Sequence, residues 1–160
     1  MFNGGIPESI NNLTNLVNLD LSHDEFQKLP KRFGGLKKLE RLDLSENQVQ
    51  GCITESIGEL KNIKLLVFSE NMLSGQIPES IGNLTVLRHF DGSQCNNLSG
   101  KLPETIGNLV DLQYLDFSKN LISGELPQSL GNLMQLQQFI QPYHRAITCL
   151  ELEPLKLVRV

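Results

Sequence analysis

A nearly identical phrase returns along this chain of 160 residues at a regular interval. It reads SGQIPESIGNL at 74–84, SGKLPETIGNL at 99–109 and SGELPQSLGNL at 123–133, with weaker copies at 4–13 and 51–60. One globular core has no need of the same surface segment at fixed spacing. The recurrence therefore predicts an array of stacked units, each of which buries its apolar side against its neighbours.

A second motif, LxxLxxLxLxxN, sets the register of the array. Its first leucines are Leu13, Leu36, Leu60, Leu84, Leu109 and Leu133, which are 23, 24, 24, 25 and 24 residues apart. This spacing predicts a solenoid over 1–140, with a partial unit at 1–12, full units at 13–35, 36–59, 60–83, 84–108 and 109–132, and a partial unit at 133–140. The tail at 141–160 alternates in CLELE and LKLVRV, and we expect it to cover the C-terminal end of the solenoid.

Within each unit the LxL segment predicts a short strand. Alternate residues face opposite sides, so Leu42 and Leu44 point inward while Asp43 points outward. The polar residue that follows predicts a ladder of side chains that hydrogen-bond to backbone groups at the turn. The ladder positions are Asp24, Asn47, Asn71, Cys95 and Asn120. Asp24 and Cys95 are weaker substitutes for Asn, so we expect those two turns to be held least well.

The SGxIPxxIGNL phrase predicts a tight turn followed by a short helical turn. Gly75 frees the backbone for a change of direction, and Pro78 fixes φ at the first helical position. Gly82 is expected to end the helical turn. The fourth full unit departs from the pattern, because Gly92 stands where the second inward leucine belongs, and we expect a bulge or a thin spot in the core there.

Five units matching LxxLxxLxLxxNxLxGxIPxxIGNL resemble the plant-specific class of leucine-rich repeats. That class occurs in ectodomains of receptor-like kinases and receptor-like proteins and in polygalacturonase-inhibiting proteins. The resemblance implies an α/β repeat solenoid: a right-handed superhelix with a concave parallel β-sheet, which binds ligands, and short 3-10 or irregular convex turns. It also implies a role in signal perception or plant defence, and a location at the cell surface or outside the cell. We interpret the chain as a fragment of such a receptor-like protein.

Two alternatives to a receptor remain open at this stage. One is a secreted enzyme inhibitor of the polygalacturonase-inhibitor type. The other is a cytoplasmic signalling scaffold, because the first full unit, NLDLSHDEFQKLPKRFGGL, is short and lacks the LSG glycine, as in intracellular repeats. Asn12, Asn83 and Asn97 are possible glycosylation acceptors of the Asn-x-Ser/Thr type. Glycan occupancy at Asn83 or Asn97 in the native host would separate the secreted interpretations from the cytoplasmic one.

Composition excludes several function classes. A net charge of −4 argues against nucleic acid, because phosphates require a basic surface. No apolar run reaches about 20 residues, so we expect no membrane contact within this chain, and the first residues lack the pattern of a secretory leader. The sequence offers no nucleophile motif, zinc spacing or phosphate loop, so we expect no enzyme, metal or cofactor. The three cysteines, Cys52, Cys95 and Cys149, are expected to be free thiols.

An outward column of Asp20, Asp43, Asp91 and Asp116 has two interpretations. The favoured one is structural, because LDLS is the usual wording of the repeat. The other is a cation site, because stacked strands would bring the carboxylates to about 4.8 Å. Val67 interrupts the column.

The outward strand positions of the five full units form the candidate binding face. They carry seven acidic and four basic residues, so a protein or peptide ligand with Lys or Arg is expected. Leu65, Val67, His89 and Tyr114 are expected to form an exposed, partly apolar diagonal across this face. The predicted contact residues are Leu65, Val67, His89, Tyr114, Arg41, Arg88, Asp91 and Asp116.

Overall fold

A computed structural model describes residues 1–95 and 97–141, and it shows a coil that repeats along one axis. Each full coil contributes one strand to each of two parallel six-stranded sheets. The predicted solenoid is confirmed over the described part of the chain. The predicted cap formed by the C-terminal tail lies outside the described residues, except for residue 141.

The first sheet holds the LxL segments. Its strands are β2 (Asn18–Asp20), β4 (Arg41–Asp43), β6 (Leu65–Val67), β8 (His89–Asp91), β10 (Tyr114–Asp116) and β12 (Gln138–Ile140). Neighbouring strands pair in parallel and without a shift of register, as in Leu42 beside Leu66 and Leu66 beside Phe90. The regular pairing follows from the constant repeat length, which brings each inward residue beside its counterpart. We call the outward side of this sheet the binding face.

The second sheet was not predicted from the sequence. Its strands are β1 (Asn3–Gly5), β3 (Glu25–Lys28), β5 (Gln50–Cys52), β7 (Met72–Gly75), β9 (Asn97–Gly100) and β11 (Leu121–Ile122), paired in that order. The LSG segment thus forms a strand before it turns. Gly75 and Gly100 both have a φ of 77°, which confirms the predicted change of direction at these glycines.

Among the described residues, five short 3-10 helices each follow a strand of the second sheet. They are η1 (Glu8–Asn12), η2 (Glu55–Glu59), η3 (Glu79–Asn83), η4 (Glu104–Asn108) and η5 (Gln128–Asn132). The prolines lie one residue earlier than predicted: Pro78 precedes η3 with φ −69° and ψ 146°. The full unit at 13–35 forms no such helix. This is the unit that lacks the LSG glycine, and its strand β3 pairs with β5 through a single residue pair.

In η2, η3 and η4 the glycine near the end of the helix serves coil packing, which corrects the predicted stop. Gly82 lies inside η3 and has no left-handed backbone. A Cβ on Gly82 would lie 2.6 Å from the carbonyl oxygen of Thr105 in the next coil, and one on Gly107 would lie 2.5 Å from that of Ser129. Only glycine lets successive helices approach this closely. Gly131 meets nothing within 4 Å.

The core lies between the two sheets and the helices. The inward residues of the central coils, such as Leu42, Leu66 and Leu115, are fully buried. Leu36 is 1% exposed, whereas the equivalent Leu13 in the first coil is 48% exposed, because no described coil covers that end. Burial by neighbours, rather than within the unit, is what the repeat achieves.

The expected weakness at Gly92 is absent. Strand β8 pairs regularly with β10, so the backbone does not bulge there. The ring of Phe117 from the next coil occupies the space of the missing side chain, since a Cβ on Gly92 would lie 2.7 Å from its Cε1. Phe117 also meets Phe90 edge to face, with ring centroids 4.9 Å apart. The prediction of a thin spot was wrong because it considered each coil separately.

Candidate ligand-binding face

The parallel register converts each sequence position into a row of side chains that crosses the binding face. The first outward position of each strand gives the row Asn18, Arg41, Leu65, His89, Tyr114 and Gln138. The second gives Asp20, Asp43, Val67, Asp91, Asp116 and Ile140. The two rows are about 6.8 Å apart, which is two residues along a strand.

Leu65, His89 and Tyr114 are consecutive members of the first row. Leu65 pairs with His89, and His89 pairs with Tyr114. The predicted diagonal is therefore a straight row, with Val67 beside Leu65 in the second row. All three side chains are half-buried. We call Leu65, Val67, His89 and Tyr114 the central patch.

The rings of His89 and Tyr114 form a stack within this patch. Their centroids are 4.2 Å apart and their planes differ by 4°. The Tyr114 hydroxyl donates to Oδ2 of Asp116 at 3.2 Å, which fixes the outer end of the ring. Burial lowers the pKa of His89, while the nearby Asp91 opposes this shift. Burial, helped by the charge of Asp116, raises the pKa of Tyr114 to about 12, so its hydroxyl stays a donor.

Two of the predicted contact residues are less exposed than the sequence suggested. Val67 is 9% exposed and Asp116 is 7% exposed. Their side chains point outward, because Leu66 directly before Val67 and Leu115 directly before Asp116 point inward and are buried. The Tyr114 hydroxyl of the first row contacts Asp116. Val67 and Asp116 therefore form the floor of the patch, while Leu65, His89 and Tyr114 present more surface.

The aspartates of the second row stabilise their own strand ends. Oδ1 of Asp43 accepts from the backbone N–H of Ser45 at 2.9 Å and from its hydroxyl at 2.6 Å. Oδ1 of Asp91 accepts from the N–H of Ser93 at 2.9 Å. Asp20 and Asp116 make the same backbone contact with Ser22 and Ser118. These bonds support the structural interpretation of the aspartate column.

Basic side chains lie at the starts of the strands, next to the patch. Arg41 and Arg88 are exposed, and Arg88 directly precedes strand β8. Lys64, at the equivalent position one coil earlier, forms an ion pair with Glu40 at 2.8 Å. Among residues 1–95 and 97–141, neither Arg41 nor Arg88 takes part in an ion pair. Their charges are therefore available to a ligand.

The predicted ladder is present and is strongest at the asparagines. Oδ1 of Asn71 accepts from the N–H of Val49 at 2.9 Å, and Nδ2 donates to the carbonyl of Leu44 at 2.8 Å, so one amide joins two coils. Asn47 and Asn120 make the equivalent bonds. The Cys95 thiol donates one bond, to the carbonyl of Phe68, at 3.2 Å.

Asp24 makes fewer of these bonds than the asparagines do. Its Oδ1 accepts from the N–H of Phe2 at 2.9 Å, but a carboxylate cannot donate to a carbonyl as an amide does. Asp24 therefore only accepts a hydrogen bond from the previous coil, whereas Asn47 both accepts one from it and donates one to it.

One feature of the face was missed from the sequence. The residue before each ladder position has a left-handed backbone, with φ between 52° and 57°: His23, Glu46, Glu70, Gln94 and Lys119. Their side chains pair along the row, as in His23 Nδ1 with Glu46 Oε2 at 2.8 Å and Lys119 Nζ with Gln94 Oε1 at 3.0 Å. Glu, Gln and Lys do not favour a left-handed conformation, although His does to some extent, so the constant position before the ladder residue was the signal that could have indicated it.

Other predicted features have the following positions. Cys52 is exposed and Cys95 is buried, and both are free thiols; Cys149 lies outside the described residues. The acceptors Asn12, Asn83 and Asn97 are exposed.

Within 1–95 and 97–141, no cluster of His, Cys, Asp or Glu has the arrangement of a metal site. In the same part of the chain, no helix has the length and apolarity needed to span a bilayer.

Apart from the binding face, the surface has a depression between the second sheet and the 3-10 helices, which we call the second depression. Its floor is apolar, with Ile77 and Leu102, and its rim carries glutamates. Two of these are already engaged: Glu55 accepts from the N–H of Ser80 at 3.1 Å, and Glu104 from that of Ser129 at 3.3 Å. Glutamates on this side thus connect coils, while the outward side of the first sheet presents free charges.

Two parallel sheets joined by 3-10 helices and a hydrogen-bonded polar ladder define a leucine-rich-repeat solenoid. The family model described as a leucine-rich repeat region matches residues 6–100, and the model described as a leucine rich repeat matches residues 111–133. The chain therefore belongs to the leucine-rich-repeat family. Comparison with curated proteins gave no significant match.

Solved structures similar to this chain include plant receptor ectodomains. The plant peptide hormone receptor RGFR1, in complex with RGF2, is 37% identical with a TM-score of 0.81, over 88% of this chain and 22% of that chain. The ectodomain of the Arabidopsis receptor kinase HAESA, in complex with an extended IDA peptide hormone, is 34% identical with a TM-score of 0.82, over 88% of this chain and 24% of that chain. This chain thus spans less than a quarter of either receptor structure.

A shorter ectodomain also matches. That of the receptor kinase SOBIR1 from Arabidopsis thaliana is 31% identical with a TM-score of 0.71, over 78% of this chain and 68% of that chain. The resemblance to plant leucine-rich-repeat receptors inferred from the LSGxIPxxIGNL motif is confirmed by these matches and by the family models.

Proposed function

We propose that this chain is a non-enzymatic module that binds a peptide or protein ligand on the outward side of its first sheet, as part of a receptor-like protein of plants. The observation that carries the proposal is the row Leu65, His89 and Tyr114 at the middle of the sheet. An apolar and aromatic row, half-buried and held in place by a ring stack, offers contact area at little cost in side-chain entropy.

The surroundings of the row support the proposal. Arg41 and Arg88 on one side and Asp43 and Asp91 on the other can each form charge-assisted hydrogen bonds with a ligand. The excess of acidic residues on the face favours a ligand that carries Lys or Arg. Val67, which is 9% exposed, supplies an apolar floor next to these charges.

The structural neighbours give independent support. RGFR1 and HAESA were each solved with a bound peptide hormone, and both resemble this chain over 88% of its length. Leucine-rich-repeat ectodomains of this kind are typically non-enzymatic. We therefore place the chain outside the cell, where the exposed Asn12, Asn83 and Asn97 could carry glycans. Mass spectrometry of the protein from its native tissue tests this location, because a cytoplasmic scaffold would carry no glycan at these sites.

Affinity measurements with selected peptides test the binding role. Random peptides displayed on phage would be selected on the wild-type chain, and the dissociation constant of the enriched peptides would be measured by titration calorimetry. The variant Leu65→Asp/Tyr114→Ala is expected to weaken binding by about tenfold or more, because interface anchors of this type contribute about 2 kcal/mol. Met72→Asp, at an exposed position of the second sheet, is the matched control.

The melting temperature of each variant must stay close to that of the wild type, so that loss of binding is not loss of fold. If the selected peptides bind the double variant as tightly as the wild type, the ligand does not use this face and the proposal fails.

A further inference from the structure

The charges of the binding face are separated into two parallel stripes. The strand-start stripe consists of Glu40, Arg41, Lys64 and Arg88 and has a net charge of +2. The strand-end stripe consists of Asp20, Asp43, Asp91, Asp116, Glu46, Glu70 and Lys119 and has a net charge of −5. Both stripes run across the strands. Arg41 continues the row of Leu65 and His89, and Asp43 and Asp91 lie on either side of Val67 in the second row. A single net charge for the face conceals this division.

The basic stripe is open to a ligand at two points. The Lys64–Glu40 pair, at 2.8 Å, neutralises the middle of the stripe. Arg41 follows Glu40 in the same coil, and Arg88 lies one coil beyond Lys64; neither arginine has an ion pair among the described residues. Both arginines are exposed, so each can bind a carboxylate through two parallel hydrogen bonds.

The acidic stripe is open as well. In the described part of the chain, the bonds of Asp43 and Asp91 involve only Oδ1, and both side chains are half-buried. Their second oxygens remain for a ligand cation. Arg41 and Asp43 lie on the same strand two residues apart, about 6.8 Å, so opposite charges stand next to Leu65 and Val67 at one end of the patch.

An extended peptide that crosses the strands meets both stripes at once. Its side chains alternate between its two edges, so odd positions face one stripe and even positions face the other. Six strands about 4.8 Å apart span about 24 Å, which an extended segment of about seven residues covers.

On the basis of the proposed function, we propose that the ligand of this face is an extended peptide segment in which acidic and basic side chains alternate. The acidic side chains contact Arg41 and Arg88, and the basic side chains contact Asp43 and Asp91. A uniformly basic segment would direct half of its charges at the arginines. Like charges in such contact oppose binding, which is how the face would discriminate between ligands.

Four fluorescein-labelled octapeptides test the inference by anisotropy at low and high salt. The first alternates Lys and Glu, the second has the same composition with Lys in one half and Glu in the other, the third alternates Lys and Ser, and the fourth alternates Glu and Ser. We expect the first to bind about tenfold tighter than the second, with an advantage that shrinks as salt screens the stripes.

A charge-reversal variant provides the second arm. Arg41→Glu/Arg88→Glu is expected to remove the preference for the alternating peptide and to favour the Lys/Ser peptide instead. Lys61→Glu/Lys101→Glu makes the same change of net charge at exposed positions away from the face and is expected to keep the wild-type ranking. Thermal melting of both variants checks that the fold is retained.

The failure of this inference differs from the failure of the proposed function. Equal binding of the alternating and block peptides, tighter binding of the Lys/Ser peptide to the wild type, or no binding of any octapeptide would overturn the inference. The proposed function would still stand if phage-selected peptides lose affinity in Leu65→Asp/Tyr114→Ala, and it would fail with the inference if they do not.

Discussion

The rings of His89 and Tyr114, on neighbouring strands, stack almost parallel with their centroids 4.2 Å apart. The stack spans one repeat, so two residues separated by a full coil in sequence form one rigid surface. Each ring restricts the rotamers of the other, and the bond from Tyr114 to Asp116 restricts them further. The central patch is thereby organised before a ligand arrives, which reduces the entropy lost on binding.

The partly buried position of His89 in this stack predicts a shifted pKa. Burial lowers the pKa of His89 below its ordinary value of 6.5, so the unfolded chain binds this proton more readily than the folded one. The resulting contribution to stability is complete above pH 6.5 and is lost as the pH falls from 6.5 through the folded pKa. An NMR titration of the ring protons should find a depressed pKa that moves toward 6.5 in Tyr114→Ala and stays in place in Met72→Ala. A wild-type midpoint at or above 6.5 would contradict this account.

Coil packing at the 3-10 helices predicts unequal tolerance of alanine at equivalent glycines. Gly82→Ala should destabilise the protein by about 1–3 kcal/mol, because its Cβ would overlap the backbone of Thr105 in the next coil. Gly131→Ala should change stability by no more than about 0.5 kcal/mol, because nothing lies within reach of its Cβ. Urea unfolding of both variants measures the difference. Similar losses at the two sites would mean that the glycines act through backbone conformation instead.

The ladder predicts a difference between its amide and thiol members. Asn71→Ala leaves the N–H of Val49 and the carbonyl of Leu44 without this partner, which should cost more than about 2 kcal/mol. Cys95→Ala removes one bond from a thiol and should cost about 1 kcal/mol. Chemical unfolding monitored by circular dichroism gives both values. The ladder would not be a main source of coil-to-coil stability if Cys95→Ala proved as costly as Asn71→Ala.

The packing of Phe117 over Gly92 predicts a compensating pair. Gly92→Ala alone should cost about 1–3 kcal/mol, because the new Cβ would lie 2.7 Å from the Phe117 ring. Combined with Phe117→Leu, which makes room, the same change should cost less than the sum of the two single changes. A double-mutant cycle measures the coupling. Strict additivity would show that the two residues do not share this space.

Much of the fold follows from period and alternation. A repeat of constant length forces equivalent residues into register, so Leu42, Leu66 and Leu115 could be assigned to the core and Asp43 to the outside without a structure. The ladder role of Asn71 also follows, because a strand end needs both donors and acceptors.

What the sequence left open depends on contacts between coils. The second sheet forms because the LSG segments of successive coils meet, and no pattern within one unit requires it. The filling of the space at Gly92 by Phe117 and the purpose of Gly82 likewise appear only when two coils are considered together. The burial of Val67 and Asp116 depends on neighbouring rows, so the exposure of the binding face could not be judged from a single strand.

The most direct test of the proposed binding face is a map of amide chemical shifts as a phage-selected peptide is added. The account predicts that the largest changes centre on Leu65, His89 and Tyr114, with smaller ones at Arg41 and Arg88. Changes concentrated at Ile77, Leu102 and the second depression, with the first sheet unaffected, would contradict it.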